Sequence, residues 1–294
     1  MTGWLLAPQP VARLAWLRTL VCLFVPVDVL VTTPWVARHD TAPPSLYRPL
    51  LLDRLLHLPA PTALLVHLVE LALLLVAVAA ETGRAPRLLG TALALLYLEW
   101  MLVAMSWGKV DHDRFAFLVV LFALPTAGRA RHDDRTPSEA AGFVLRCAGL
   151  AVVATYVLSV VAKARFGGGL GSWLDSAVFV RAVLRRGTVL GTPLLDHVWV
   201  LHAGQYALVT LELASPLLLL LRGRWRHLLV AGYVAFHLMT WACIGIVFLP
   251  HLVCLLALLP LERLTRAPSG PEPAARPAHR WPVAQRVRDV HLLP

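Results

Sequence analysis

The stretch FVLRCAGLAVVATYVLSVVAKA, residues 143–164, decides the fold class of this chain. Arg146 and Lys163 are its only charged side chains, and the rest is almost entirely apolar. A helix needs about 20 mostly apolar residues to cross the hydrocarbon core of a bilayer. The stretch therefore predicts a membrane-spanning helix.

The composition of the whole chain agrees with this prediction. The 294 residues are 58% hydrophobic and 15% charged, whereas about 25% of the residues of an ordinary soluble domain are charged. We therefore expect an integral membrane protein. The net charge of +10 lies largely in short loops and the C-terminal tail, which favours the lipid bilayer and its anionic headgroups as partners and argues against nucleic acid.

Further apolar segments predict an all-α fold, a polytopic transmembrane helix bundle of about eight spans within residues 1–265. The predicted spans are 12–33, 60–81, 87–107, 113–128, 143–164, 198–221, 226–248 and 249–263. Arginines concentrate in alternate short loops, which predicts that both the N-terminus and the C-terminus lie inside. Residues 266–294 are rich in proline and arginine and are predicted to form a disordered cytoplasmic tail.

Residues 165–197 form a longer outer segment. It begins with glycines and continues as WLDSAVFVRAVLRR, in which apolar residues recur at helical spacing opposite Arg181 and Arg185. This pattern predicts an amphipathic helix on the outer membrane surface.

Several ionisable residues fall within or at the ends of the predicted spans. Such residues are costly in a bilayer, so each is a candidate for function or for a polar contact between helices. They are Asp28, His67, Glu70, Glu99, Lys163, Glu212 and His237.

Lys163 differs from the other basic residues in its chemistry. Of the 27 lysines and arginines, only Lys109 and Lys163 are lysines. Arginine stays protonated in proteins, whereas a lysine in an apolar pocket loses its proton readily and can act as a base. An interfacial anchor is the alternative role for this lysine.

The polar stretch SWGKVDHDRF, residues 106–115, is predicted to lie at the same outer edge as Lys163 and the surface helix, so the three could form one site. Asp111 and Asp113 would tune the charge of the lysine, and His112 would exchange protons near neutral pH. No metal site is predicted, because adjacent residues do not easily converge on one ion. The four cysteines show neither a CxxC pair nor a cluster with histidine.

The order of these features resembles the HTTM superfamily, which includes vitamin K-dependent gamma-glutamyl carboxylase. The resemblance covers about residues 10–263 and rests on LAWLRTLVCLFVPVDVL, DHDRFAFLVVLFALPTAG, VLRCAGLAVVATYVLSVVAKARFGGGLGSWLDS, and LVTLELASPLLLL followed by AFHLMTWACIGIVFLPHLVCLLALLPL. His112 resembles a histidine that begins a helix in the carboxylase, and His237 resembles a later one. Tyr156 and Lys163 keep the spacing of the family's tyrosine and catalytic lysine.

The resemblance implies catalysis by Lys163, His112 and His237, with Tyr156, Trp173, Glu212 and Asp111 as candidates for contact with the cofactor. The cofactor would be reduced vitamin K or menaquinone, with oxygen and carbon dioxide as co-substrates. Lysine would deprotonate the quinol, and the strong base formed with oxygen would deprotonate a substrate, for glutamyl carboxylation or quinone epoxidation. The large extramembrane domain of the carboxylase has no counterpart here.

Two other classes of function remain open. A non-catalytic membrane accessory could assist the maturation or export of a secreted peptide, or bind a quinone or lipid, because a fold does not fix a function. A proton-coupled transporter could use the intramembrane acids as a relay, although no inverted halves are visible in the sequence.

Overall fold

A computed structural model describes residues 2–110 and 112–265 of the chain, and most of them are helical. The α-helices are α1 (Thr2–Leu5), α2 (Val11–Val27), α3 (Leu51–Leu56), α4 (Ala63–Glu81), α5 (Pro86–Met105), α6 (Phe115–Ala123), α7 (Glu139–Phe166), α8 (Leu170–Leu174), α9 (Val178–Arg186), α10 (Val198–Ala214), α11 (Leu217–Leu220), α12 (Gly223–Ile244) and α13 (Leu249–Leu255). A π-helical turn (Asp28–Thr32) continues α2, and short 3₁₀ helices cover Pro34–Thr41, Pro44–Leu46, His112–Arg114, Leu124–Ala127, Thr192–His197, Leu256–Leu258 and Leu261–Leu264.

The prediction of a mainly helical fold is confirmed. In the part of the chain that the structure describes, five helices are long and apolar enough to cross a membrane: Val11–Thr32, Ala63–Glu81, Pro86–Met105, Glu139–Phe166 and Gly223–Ile244.

The remaining three predicted spans are divided in the structure. Residues 113–128 contain the nine-residue α6 followed by 3₁₀ turns, and residues 198–221 contain α10 and α11 with Ser215 and Pro216 between them. Proline lacks the backbone N–H that an α-helix needs, so Pro125 and Pro216 interrupt these segments. In the third, residues 249–263, α13 passes into short 3₁₀ helices.

The described residues form two compact units, one of residues 2–110, 112–148 and 260–265, and one of residues 149–259. In the first unit α4 packs against both α2 and α5. The interior of this unit is filled by large side chains such as Tyr97, Trp100 and Phe117, which are fully buried.

The opposite face of α4 is apolar and exposed. Leu64, Leu68, Leu71, Leu75 and Val78, spaced alternately by four and three residues, are 53–71% exposed. This spacing places them in one stripe along the helix. A stripe of this length and apolarity is suited to contact with lipid chains rather than water.

Three contacts join the region around the start of α2 to later segments of the first unit. Strand β1 (Gln9–Pro10) pairs antiparallel with β2 (Pro137–Ser138), with Gln9 opposite Ser138. Farther along the chain, both Glu262 oxygens accept hydrogen bonds from Arg13 at 2.7 Å, and Trp16 Nε1 donates to Thr265 Oγ1 at 2.9 Å.

The beginning of α7 depends on a glycine. A Cβ atom on Gly142 would collide with the backbone carbonyl of Ala7. We expect Gly142→Ala to lower the free energy of unfolding by about 1–3 kcal/mol, because rigid backbone must shift. Gly232→Ala in α12 is the control, since nothing lies within 4 Å of its added Cβ. Thermal melting in detergent checks the pair, and equal melting temperatures for both variants would contradict the close approach.

The second unit contains the later part of α7 and helices α8–α13. Gly149 in α7 allows the side chains of Leu219 and Leu258 to come within 3.0 and 3.2 Å of where a Cβ would stand. In this unit α9 packs against α10 and α12, and α11 packs against α12.

Candidate functional site

One face of α7 carries a row of polar side chains in the second unit. Tyr156, Ser159 and Lys163 follow one another at intervals of three and four residues, so they lie on the same side of the helix. Facing them are Glu212 from α10 and His237 from α12, both buried.

Lys163 is held by hydrogen bonds on all sides of its amino group. Its Nζ donates to both oxygens of Glu212 at 2.8 Å and to Ser159 Oγ at 2.6 Å. Ser159 in turn donates to Glu212 Oε1 at 2.9 Å. An ammonium group has three N–H donors, and this arrangement uses all three.

The Lys163–Glu212 pair is largely shielded from solvent. The two side chains are 14% and 7% exposed. At such low exposure the interaction between opposite charges is much stronger than at a protein surface. Removing either partner would leave the other as a poorly compensated charge.

Trp173 adds an aromatic face to this site. Lys163 Nζ lies 5.3 Å from the centre of the Trp173 ring, within the range of a cation–π interaction. The chain can turn back this closely because Gly168 and Gly169 adopt positive φ angles of 74° and 104°. A Cβ atom on Gly167 would also meet Trp173 side-chain atoms at 2.9 Å.

A second group of polar side chains lies along the same face of α7. Tyr156 Oη and His237 Nε2 are 2.8 Å apart and share a hydrogen bond. The rings of Tyr233 and His251 pack on Tyr156, with centroid distances of 4.6 and 4.7 Å. Phe248 packs on His237 at 4.9 Å.

One nitrogen of His237 has no hydrogen-bond partner in the part of the chain that the structure describes. Its side chain is buried, and its Nδ1 atom has no hydrogen-bond partner among residues 2–110 and 112–265. A buried polar atom of this kind is costly unless something binds to it. A polar group that reached this nitrogen would satisfy it.

The Tyr156–His237 hydrogen bond gives a prediction. Tyr156→Phe removes the hydroxyl and leaves a second nitrogen of the buried His237 unsatisfied. We expect the free energy of unfolding to fall by about 1–3 kcal/mol, measured by thermal melting in detergent. Tyr206→Phe is the control, because the Tyr206 ring is 43% exposed. An unchanged melting temperature for Tyr156→Phe would contradict a structural role for the hydrogen bond.

Five of the candidates named from the sequence lie together in the second unit. Lys163, Glu212 and Trp173 form one group, and Tyr156 and His237 form the group beside it on α7. His112 belongs to the first unit, where it begins the short 3₁₀ helix before α6 and is exposed. Asp111, also named from the sequence, and the tail 266–294 lie outside the described residues.

In the first unit, the charges near residue 113 form a buried network with Asp28. Arg114 lies 3.3 Å from Asp28 Oδ1 and 3.1 Å from Asp113 Oδ2. Tyr97 donates to Asp28 Oδ2 at 2.7 Å, and Thr32 also donates to the carboxylate. Asp28, with no exposed surface, thus joins α2 to α5 and to the start of α6.

His67 and Glu70, which share a helix face, form a more exposed pair on α4. The nitrogen Nδ1 of His67 lies 3.2 Å from Glu70 Oε2, and His67 is 56% exposed. Asp40 lies 3.6 Å from the other ring nitrogen. Across residues 2–110 and 112–265, no group of three or more His, Cys, Asp or Glu side chains has the geometry to hold a metal ion.

Sequence reasoning missed two important members of the second-unit site, Ser159 and His251. Ser159 lies four residues before Lys163 and so shares its helix face, a signal that the sequence contains. His251 is a histidine in an apolar segment, which is the same signal that pointed to His237.

Comparison with known proteins finds no matching family model, no similar curated protein and no similar solved structure.

Proposed function

We propose that this chain is a quinone-linked membrane enzyme that resembles vitamin K-dependent gamma-carboxylase, with Lys163 as its base. One observation carries the proposal. The only lysine within a predicted span lies in a shielded site, bonded to Ser159 and Glu212. The buried His237 of α12, whose Nδ1 has no partner among the described residues, is bonded to Tyr156 on the same face of α7.

The residues present fit a reduced quinone. A flat, mainly apolar ring with a polar oxygen needs aromatic neighbours and one hydrogen-bonding group. The rings of Tyr156 and Phe248 pack on His237, and Tyr233 packs on Tyr156. His237 Nδ1 lacks a partner among the described residues. When bound, the reduced quinone together with oxygen would supply the strong base that removes a proton from a substrate.

The lysine must lose a proton before it can accept one. In the observed arrangement Nζ donates to both oxygens of Glu212, so the carboxylate is placed to take that proton. Ser159 bonds to both groups and keeps them aligned. In this proposal His237 orients the substrate oxygen, and Tyr156 fixes the histidine ring.

The proposal includes the finer topology expected from the sequence. The bundle would have about eight spans, with both termini inside a bacterial cell membrane and α9 as an amphipathic helix on the outer surface. The arginines of the short loops support this orientation. His112 would take part as a proton partner, as the resemblance implies.

The proposal is tested by supplying the cofactor to the purified full-length protein. Reduced menaquinone is added in detergent with oxygen and bicarbonate, and quinone epoxide is measured by mass spectrometry. We expect epoxide above the level formed without protein, and none in the absence of oxygen. Binding of menaquinone without any epoxide would overturn the enzymatic proposal.

A second candidate function is a non-catalytic membrane accessory, for the maturation or export of a secreted peptide, or for binding a quinone or lipid. The observation that favours it is the complete bonding of Lys163, because a saturated ion pair can serve simply to hold α7 against α10. In that case replacement of the lysine by arginine would preserve function.

A further inference from the structure

A small cavity lies in the second unit, beside α9 and α10. Its volume is about 200 Å³. The apolar part of its lining includes Phe179, Val180 and Leu201, and the polar part includes Asp175, His202 and Gln205. None of these side chains belongs to the Lys163 or His237 groups described above.

The wall of the cavity is fixed by one buried glutamine. Gln205 is 1% exposed. Its Nε2 donates to the carbonyl oxygens of Trp173, Leu174 and Ser176 at 2.6, 2.9 and 3.1 Å, and its Oε1 accepts from the Phe179 backbone N–H at 3.3 Å. The loop before α9 is thereby held in one conformation, so the cavity is a preformed feature.

The polar side of the cavity favours a hydrogen-bond donor with positive charge. Asp175 is the only carboxylate among the lining residues, and no lysine or arginine lines the cavity. Tyr206 donates to Asp175 Oδ1 at 2.7 Å and so orients the carboxylate. A carboxylate accepts about four hydrogen bonds, which leaves capacity for a ligand.

We propose that this cavity binds a primary ammonium group attached to a small apolar segment, carried by an amine-headed phospholipid or by a small free amine. The carboxylate of Asp175 receives the ammonium N–H groups, and Phe179 and Leu201 contact the adjoining carbons. The volume suits a headgroup, since cavities for whole drug-sized ligands measure about 300–1,000 Å³.

The surroundings of the cavity favour the phospholipid as the source. Arg181 lies one helical turn after the lining residue Ala177, and its side chain is exposed. It is suited to a phosphate but would repel a free amine. Leu184 and Trp199, which are 70% and 73% exposed, offer apolar surface to the lipid chains.

The experiment measures binding to the full-length protein in detergent by isothermal titration calorimetry. The probes are dihexanoyl phosphatidylethanolamine, the corresponding phosphatidylcholine and phosphatidylglycerol, and ethanolamine alone. We expect the ethanolamine lipid to bind at least about tenfold more tightly than the other two lipids. The quaternary ammonium group of phosphatidylcholine has no N–H to donate, and the glycerol headgroup of phosphatidylglycerol carries no positive charge.

Four variants test whether the binding takes place in the cavity. Asp175→Asn should weaken binding of the ethanolamine lipid at least about tenfold, whereas Asp196→Asn, at another exposed aspartate, should leave it unchanged. Tyr206→Phe should weaken it by a smaller factor, and this variant serves if Asp175→Asn does not fold. Arg181→Gln should weaken binding of the ethanolamine lipid but not binding of ethanolamine alone.

Tight binding of ethanolamine itself, lost in Asp175→Asn, would support the site and assign it to a free amine. The proposal is overturned if neither amine binds, if the choline or glycerol lipid binds as tightly, or if Asp175→Asn binds normally. Because the readout is binding without quinone, this result is independent of the proposed enzymatic function.

Discussion

Replacing Lys163 with arginine is expected to leave the protein folded and to lower quinone epoxidation at least about 100-fold. Arginine keeps the positive charge and can still pair with Glu212, so the shielded contact between α7 and α10 is largely preserved. Arginine does not lose its proton in proteins, so it cannot act as a base. A general base typically contributes 10²–10⁴-fold to a rate.

The other lysine provides a matched control. Lys109→Arg makes the same chemical change at an exposed position of the first unit and should leave the epoxidation rate within about twofold of the parent. Melting temperatures of both variants are measured beside the rates. If Lys163→Arg turned over quinone as fast as the parent, the base would have to be another residue.

Glu212→Gln separates the two roles of the ion pair. In the proposed mechanism Glu212 accepts a proton from Lys163, so it should be needed for turnover even when substrate is saturating, and the loss should appear in kcat rather than in KM alone. A loss confined to thermal stability would indicate that the pair only connects helices.

The second large effect is expected from Arg114→Met in the buried network of the first unit. This change removes the cation that lies beside Asp28 and Asp113, and Asp28 has no exposed surface. Breaking a buried pair by removing one partner costs about 3–5 kcal/mol. We expect a correspondingly large fall in melting temperature, measured in detergent by intrinsic fluorescence.

Two comparisons make this prediction specific. Arg131→Met breaks an ion pair with Asp133 whose side chains are 79% and 60% exposed, so its melting temperature should hardly change. The double variant Asp28→Asn/Arg114→Met should be more stable than Arg114→Met, because the buried negative charge is removed along with its partner. If the double variant lost as much stability as Asp28→Asn and Arg114→Met lose together as single variants, coupling between the two residues would be excluded.

The sequence predicts the fold class well because hydropathy over a long segment is a strong local signal. The segment 143–164 lies within α7, and 60–81 and 87–107 correspond closely to α4 and α5. The interruptions at Pro125 and Pro216 were harder to predict, since a proline within an apolar segment kinks, ends or merely bends a helix according to its tertiary surroundings. The inside and outside orientation stays a prediction.

The candidate site was predictable in most of its members, though not in Ser159 and His251, and not in its pairings. Lys163, Glu212 and His237 stand out as ionisable residues in apolar segments. Which acid faces the lysine depends on how α10 rotates against α7, and local sequence does not encode this rotation. The carboxylates near residue 113 were expected to tune Lys163, whereas its observed partner is Glu212. A joint site of His112 with Lys163 stays a prediction.

The contacts of Arg13 and Trp16 with Glu262 and Thr265 have a consequence for biosynthesis. The first unit begins to emerge from the ribosome long before residues 260–265 are translated. Arg13, in α2, must therefore wait until Glu262, 249 residues later in the chain, is made before its carboxylate partner is present. Such sequence-distant contacts form late in folding. Until Glu262 and Thr265 are made, the polar groups of Arg13 and Trp16 lack these partners. At this stage a membrane chaperone or a quality-control protease would encounter them uncovered.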